Sequence, residues 1–154
     1  GYGVEIDDKN LLSCFYNGIN VIQNDLESGL SSFESDSFDY VILSQTLQAM
    51  RHTEDIIQEM LRVGKQGIVS FPNFGYWRNR VQVALGQMPI SKALPYHWYD
   101  TPNIHLCTLN DFEELCRRCN AHIIECRVMS NYRPVHIFPN LMGMLAFYRF
   151  ERAK

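Results

Sequence analysis

The sequence predicts an α/β fold with a mostly parallel sheet and a C-terminal antiparallel pair of strands. Three observations predict it. Short apolar runs alternate with segments of helical periodicity through the first half of the chain. One run, Phe38-Asp39-Tyr40-Val41-Ile42-Leu43-Ser44, has the near-continuous apolar character of a buried parallel strand. Near the end, two strand-like segments follow one another with no helix between them, the pattern of an antiparallel pair at a sheet edge.

In chain order, Gly1-Tyr2-Gly3-Val4-Glu5-Ile6-Asp7 reads as a strand ending on carboxylates, followed by a helix over residues 8–17. Residues 20–25 form a second strand, again closed by a carboxylate, then a short helix or loop over 26–33 and a turn at Ser35-Asp36-Ser37. After strand 38–44, Thr53 is the expected N-cap of a helix, with Glu54 and Asp55 in its first turn. Ile56, Ile57, Met60, Leu61 and Val63 recur at helical spacing before Gly64 ends it. Residues 66–71 form the next strand, stopped by Pro72, and 76–85 a helix. A long stretch rich in Pro and aromatics, 87–108, has no periodicity; segments of this length carry function more often than not. Thr108, with Asp111 three residues on, opens a helix to Arg118 in the manner of a capping box. The final strands are expected at 121–128 and 141–150.

The chain has 154 residues, enough for one domain with one core. Its net charge of −3 gives no basic footprint for nucleic acid. No apolar run reaches the roughly 20 residues of a membrane span. The five cysteines, Cys14, Cys107, Cys116, Cys119 and Cys126, are odd in number, which favours reduced thiols in a cytoplasm over a disulfide framework.

Glu5 ends the first strand, where nucleotide-binding α/β folds place an acidic residue that accepts hydrogen bonds from ribose hydroxyls. Asp7 takes that role if the register differs by two. A strand, a Gly-rich loop and a helix ordinarily precede such a strand, so an opening unit is expected upstream of Gly1.

The element order resembles the Rossmann-like class I S-adenosylmethionine-dependent methyltransferase fold. Three runs, Phe38 to Ala49, Ile68 to Gly75 and Leu94 to Thr108, resemble those of the methionine biosynthesis protein MetW family, and the third is the most specific. The resemblance implies a methyltransferase-like domain that works with homoserine O-acyltransferase in methionine synthesis. It implies S-adenosylmethionine as cofactor, with Glu5 at the ribose, Ile6 beside it as a further cofactor-binding residue, Asp25 at the adenine amino group and Leu26 on the adenine face. Ser44 and Gln45 would line the sulfonium end, or simply cap the sheet edge. The fold's first strand lies mid-sheet, so its omission leaves two edges unpaired, each missing backbone bond costing about 1–3 kcal/mol. A gap or a borrowed strand is therefore expected between the strands at 1–6 and 38–44.

Within the stretch 95–105, His105 and Asp100 are candidate general bases and Tyr96, His97, Trp98 and Tyr99 a candidate acceptor pocket. The favoured expectation is a packed lid that buries these aromatics. Cys116 and Cys119 form a lone Cys-x-x-Cys in a helix, with no second pair for zinc, and the histidines show no ligand spacing. The helix carrying Trp77, Arg78 and Arg80 is a partner surface or an amphipathic element with solvated charges. Three functions follow: an accessory protein of methionine biosynthesis, an active small-molecule methyltransferase, or a scaffold that binds no nucleotide.

Overall fold

The computed structural model describes residues 1–153. A small layer comes first: strand β1 (Gly3–Glu5), helix α1 (Asp8–Tyr16) and strand β2 (Val21–Gln23). Asp7 caps α1, its carboxylate accepting from the Lys9 and Asn10 N–H groups. β1 and β2 pair in parallel, Glu5 beside Gln23, and form a sheet of their own.

The second sheet has five strands. β3 (Phe38–Ser44) lies parallel to β4 (Gly64–Pro72), with helix α2 (Thr53–Val63) as the crossover. Helices α3 (Trp77–Ala84) and α4 (Leu109–Arg118) follow. Then come β5 (Ala121–Ser130), β6 (Arg133–Pro134), a single helical turn α5 (Pro139–Met142) and β7 (Leu145–Arg152). β7 inserts antiparallel between β4 and β5, giving the order β3-β4-β7-β5-β6. The sheet is mixed.

The expected gap is present: among the described residues β1 pairs only with β2, and β3 only with β4. Most strand ends shift by one to three residues, β4 starting at Gly64 rather than 66, and three differences have a physical reason. Thr53 is not the N-cap of α2. The chain turns at His52, where Glu27 from the loop after β2 accepts from the Arg51 N–H at 2.6 Å and meets the His52 ring. The last strand starts at Leu145 rather than 141, because the Asn73 amide donates to the carbonyls of Asn140 and Gly143 and pins α5. The two-residue strand β6 has too little periodicity to be seen in the sequence. The capping box of α4 forms as expected between Thr108 and Asp111.

The core lies where β4 and β7 meet α2 and α4. Val69, Phe71, Ala146, Tyr148, Phe150, Ile57, Met60 and Phe112 are buried. Phe71 stacks on Tyr148 with centroids 5.9 Å apart, and Phe112 lies 4.7 Å from Tyr148. The buried Tyr148 hydroxyl donates to Glu113 at 2.9 Å, which removes the penalty of an unpaired phenol. Gly67 permits this packing: a Cβ there would stand 2.5 Å from the Phe150 ring.

Candidate functional site

Parallel pairing brings the carboxyl ends of β1 and β2 together. The Asn24 N–H donates to the Glu5 carbonyl at 3.2 Å, so Glu5 and Asp25 sit on adjacent strand ends. Glu5 is held in place by its own loop. One carboxylate oxygen accepts from the Ile6 and Asp7 N–H groups at 2.8 and 2.9 Å, the other from the Asn10 amide at 3.1 Å. The bond from the Asp7 N–H, with those from Ile6 and Asn10, keeps the Glu5 carboxyl below its ordinary range and therefore ionised. Oε1 already takes two N–H bonds, so Oε2 alone retains a lone pair, and the fixed carboxylate faces solvent with one acceptor site to spare. Asp25 uses Oδ1 to cap the 3₁₀ turn at Leu26–Ser28, accepting from the Glu27 N–H at 2.9 Å.

A cavity of about 480 Å³ separates the two sheets. Val4 of β1, Leu26, Val41 and Ser44 line it, with Ile56 and Met60 of α2 behind. Ser44 ends β3 directly opposite Ser70 of β4, their hydroxyls 3.3 Å apart. The Gln45 N–H donates to the Ser70 carbonyl at 2.9 Å, and Gln45 adopts a left-handed backbone with φ of 49°. The Gln48 side chain donates to the Gln45 carbonyl, while its buried Oε1 has no partner among the described residues. The carboxyl edge thus holds an ionised acceptor, a second carboxylate, an apolar wall and two hydroxyls. Leu26 and Ser44 share one cavity, whereas Gln45 lines another. Ile6 is an exposed residue whose backbone, not its side chain, acts at the site.

The stretch 95–105 is not a packed lid. Tyr96, Trp98 and Tyr99 are exposed, whereas Leu94 just before them is buried. His97 and Tyr99 stack on each other with centroids 5.2 Å apart rather than on the core. The reason is the anchoring. The loop attaches by its end, where the Ile104 and His105 N–H groups both donate to the Gln48 carbonyl. The His105 ring reaches only the Arg51 carbonyl, at 3.4 Å, and Asp100 hydrogen-bonds through its backbone to His97. No hydrogen bond joins the two candidate bases among the described residues.

Cys116 and Cys119 point into the core. Burial pushes the Cys116 thiol up to about 12 and raises Cys119 as well, so neither is a ready thiolate. Among the described residues no group of three His, Cys, Asp or Glu side chains is placed to hold a metal, and no helix is long and apolar enough to cross a membrane.

Sequence reasoning missed Ser70, Asn24 and Gln48. Ser70 carried a signal: it is the one hydroxyl in the apolar run 68–71, in register with Ser44. Asn24 meets Glu5 through its backbone N–H, which side-chain identity does not report, and Gln48 combines its backbone carbonyl with a side-chain amide inside a short 3₁₀ turn that carries no periodicity.

Solved structures share this fold. An S-adenosylmethionine-dependent methyltransferase from Thermotoga maritima superposes with a TM-score of 0.69 at 16% identity, over 98% of this chain and 72% of that one. Another, from Methanosarcina mazei, gives 0.67 at 19% identity, over 99% and 81%. At such identities they establish the class I methyltransferase fold. A bifunctional methionine biosynthesis protein MetXA/MetW of Rhodopirellula baltica is 42% identical over 125 residues, 80% of this chain. The chain spans 20% of that relative's length. The family model for methionine biosynthesis protein MetW matches residues 1–150, and the chain belongs to that family.

Proposed function

We propose that this domain is an accessory of methionine biosynthesis that acts with homoserine O-acyltransferase and binds S-adenosylmethionine as a signal of the pathway's output. The observation that carries the reading is the R. baltica relative, whose name joins MetXA and MetW in one chain. Covalent joining makes the local concentration of two modules high without any extra contact, which suits partners that act on each other.

The carboxyl edge fits the cofactor. Glu5 would accept from the ribose hydroxyls, its carboxylate already oriented and ionised. Asp25 would take the adenine amino group on its free oxygen, and Leu26 would cover the ring. Ser44, Gln45 and the unfilled Gln48 Oε1 would meet the amino-acid end. When bound, S-adenosylmethionine carries a sulfonium-activated methyl group. A second reading, methyl transfer to a small molecule, is favoured by the cavity that Gln45 lines, but His105 and Asp100 form no base constellation beside it.

In the full-length protein, calorimetry should detect S-adenosylmethionine, and Glu5→Ala should weaken it by about 1–3 kcal/mol, the scale of lost charge-assisted bonds. The full-length protein should co-purify with homoserine O-acyltransferase and raise its activity, with His105→Ala and Asp100→Ala leaving that effect within a few-fold. Methyl transfer abolished by either substitution, with an acyltransferase indifferent to the protein, would establish the enzyme reading instead.

A further inference from the structure

A separate cavity of about 420 Å³ lies between Gln45, the loop at Lys92 and the turn that joins β5 to β6. Its volume is in the range of small-molecule sites. The apolar part of its wall comes from Met129, Met144 and Phe147, two thioethers and an aromatic ring. The polar part comes from Lys92, Asn131 and Tyr132, with no acidic side chain among the lining residues. Lys92 forms no ion pair among the described residues. An unbalanced ammonium at the rim of an apolar hollow suits an anion with an apolar body.

The turn supplies an independent observation. Ser130 pairs with Arg133, so Asn131 and Tyr132 form a two-residue hairpin loop. Both have positive φ, 48° and 63°. Turns of this kind take Asn and then Gly, because a side chain at the second position crowds its own backbone. Asn131 fits that rule and Tyr132 breaks it. Among the described residues the Tyr132 side chain has almost no packing to offset the strain, since it is 98% exposed. Such outliers cluster at ligand-binding and switch sites, and this one lies on the rim of the cavity.

We infer that this cavity is a binding site for a small organic monocarboxylate with an apolar chain, the Lys92 ammonium meeting the carboxylate and the Tyr132 ring closing over the chain. Gln45 borders both this site and the proposed S-adenosylmethionine edge. The assignment of the site as the place where a second ligand meets the cofactor rests on that reading, whereas its existence does not.

The test uses the full-length protein without S-adenosylmethionine and two probes, hexanoate and its neutral counterpart hexanamide, followed by ligand-observed NMR. Hexanoate should bind saturably and hexanamide about tenfold more weakly, the factor expected for one charge-assisted hydrogen bond. Lys92→Ala should erase that difference. Tyr132→Gly should raise the thermal midpoint, by relieving the turn, and at the same time weaken hexanoate several-fold. Equal binding of the two probes, or Tyr132→Gly leaving hexanoate affinity unchanged, overturns the proposal. Hexanoate binding intact in a protein that takes up no S-adenosylmethionine removes the cofactor reading alone; the reverse removes this one alone.

Discussion

The β1–α1–β2 layer and the five-stranded sheet are built from the same strand–helix–strand unit, yet they bury themselves very differently. β4 has a strand on each side, and Phe71 and Val69 are wholly buried. β3 has β4 on one side only, and its Tyr40 and Ile42 stay exposed, Ile42 at 66%, although Ile42 is the direct partner of Ile68. In the β1–α1–β2 layer Leu11 is the buried apolar residue, while Leu12, Phe15, Tyr16 and Ile19 lie open. Apolar sequence sets which residues seek burial; the number of neighbouring strands sets how many achieve it. The cavity between β1 and β3 is where the two regimes meet, and of the candidate ligand residues Leu26 and Ser44 line it.

The contrast is broken most forcefully in the core. Phe71 touches both Phe112 and Tyr148, and their three rings are the centre of the packing. Phe71→Ala should lower stability by about 3–5 kcal/mol in chemical denaturation, the loss expected for a buried aromatic whose site cannot collapse. A loss below about 1 kcal/mol would mean that the five-stranded sheet is no better packed than the small layer.

Much of this contrast was legible in the sequence. The helical spacing of Ile56 to Val63 and the Thr108–Asp111 capping box each combine a local propensity with a matching pattern, and each folds as read; the run 38–44 forms the expected parallel strand, but of its residues Leu43 alone is buried. Glu5 was legible because a strand end and an acidic residue coincide. The exposure of Tyr96, Trp98 and Tyr99 was not, because aromatic composition suggests burial while the loop's actual anchors are two backbone bonds to Gln48. The second cavity was equally hidden. It depends on a two-residue strand and on backbone angles at Asn131 and Tyr132 that no periodicity encodes.

A smaller effect tests how the segment after β2 is fastened to the core. Arg62 of α2 donates to the carbonyls of Leu30 and Phe33 at 2.9 Å each, and Glu59 accepts from the Leu30 N–H at 2.9 Å. Arg62→Ala strands these groups and should cost about 1–3 kcal/mol. The same clasp gives a pH signature. The Arg62 guanidinium, bound to Glu59 at 2.6 Å, holds the Glu59 carboxyl below its usual value of 4.5. A depressed folded pKa gives stability that is present above 4.5 and is lost as pH falls through the folded value. Since both side chains remain partly open to solvent, the screened contribution is on the order of 0.5–1 kcal/mol. Denaturation curves from pH 7 downward should therefore fall more steeply for the parent than for Arg62→Ala. Parallel curves would show that the clasp holds no charge pair in solution.

The smallest expected effect is the most informative about the open layer. Tyr16 ends α1 with 89% of its surface exposed, and no aromatic partner lies against its ring among the described residues. If the β1–α1–β2 layer is as open in solution as its neighbours are closed, Tyr16→Ser removes no burial, and stability should stay within about 0.5 kcal/mol, the range of surface substitutions. A loss above about 1 kcal/mol would mean that the face formed by Leu12, Phe15, Tyr16 and Ile19 is covered, and measuring the loss at several protein concentrations identifies the cover. A loss that grows with concentration belongs to a second copy, because association stabilises by mass action. A loss independent of concentration belongs to the chain itself. Either result would replace the contrast between an open and a closed layer by one between two closed layers, with the candidate ligand edge lying between them.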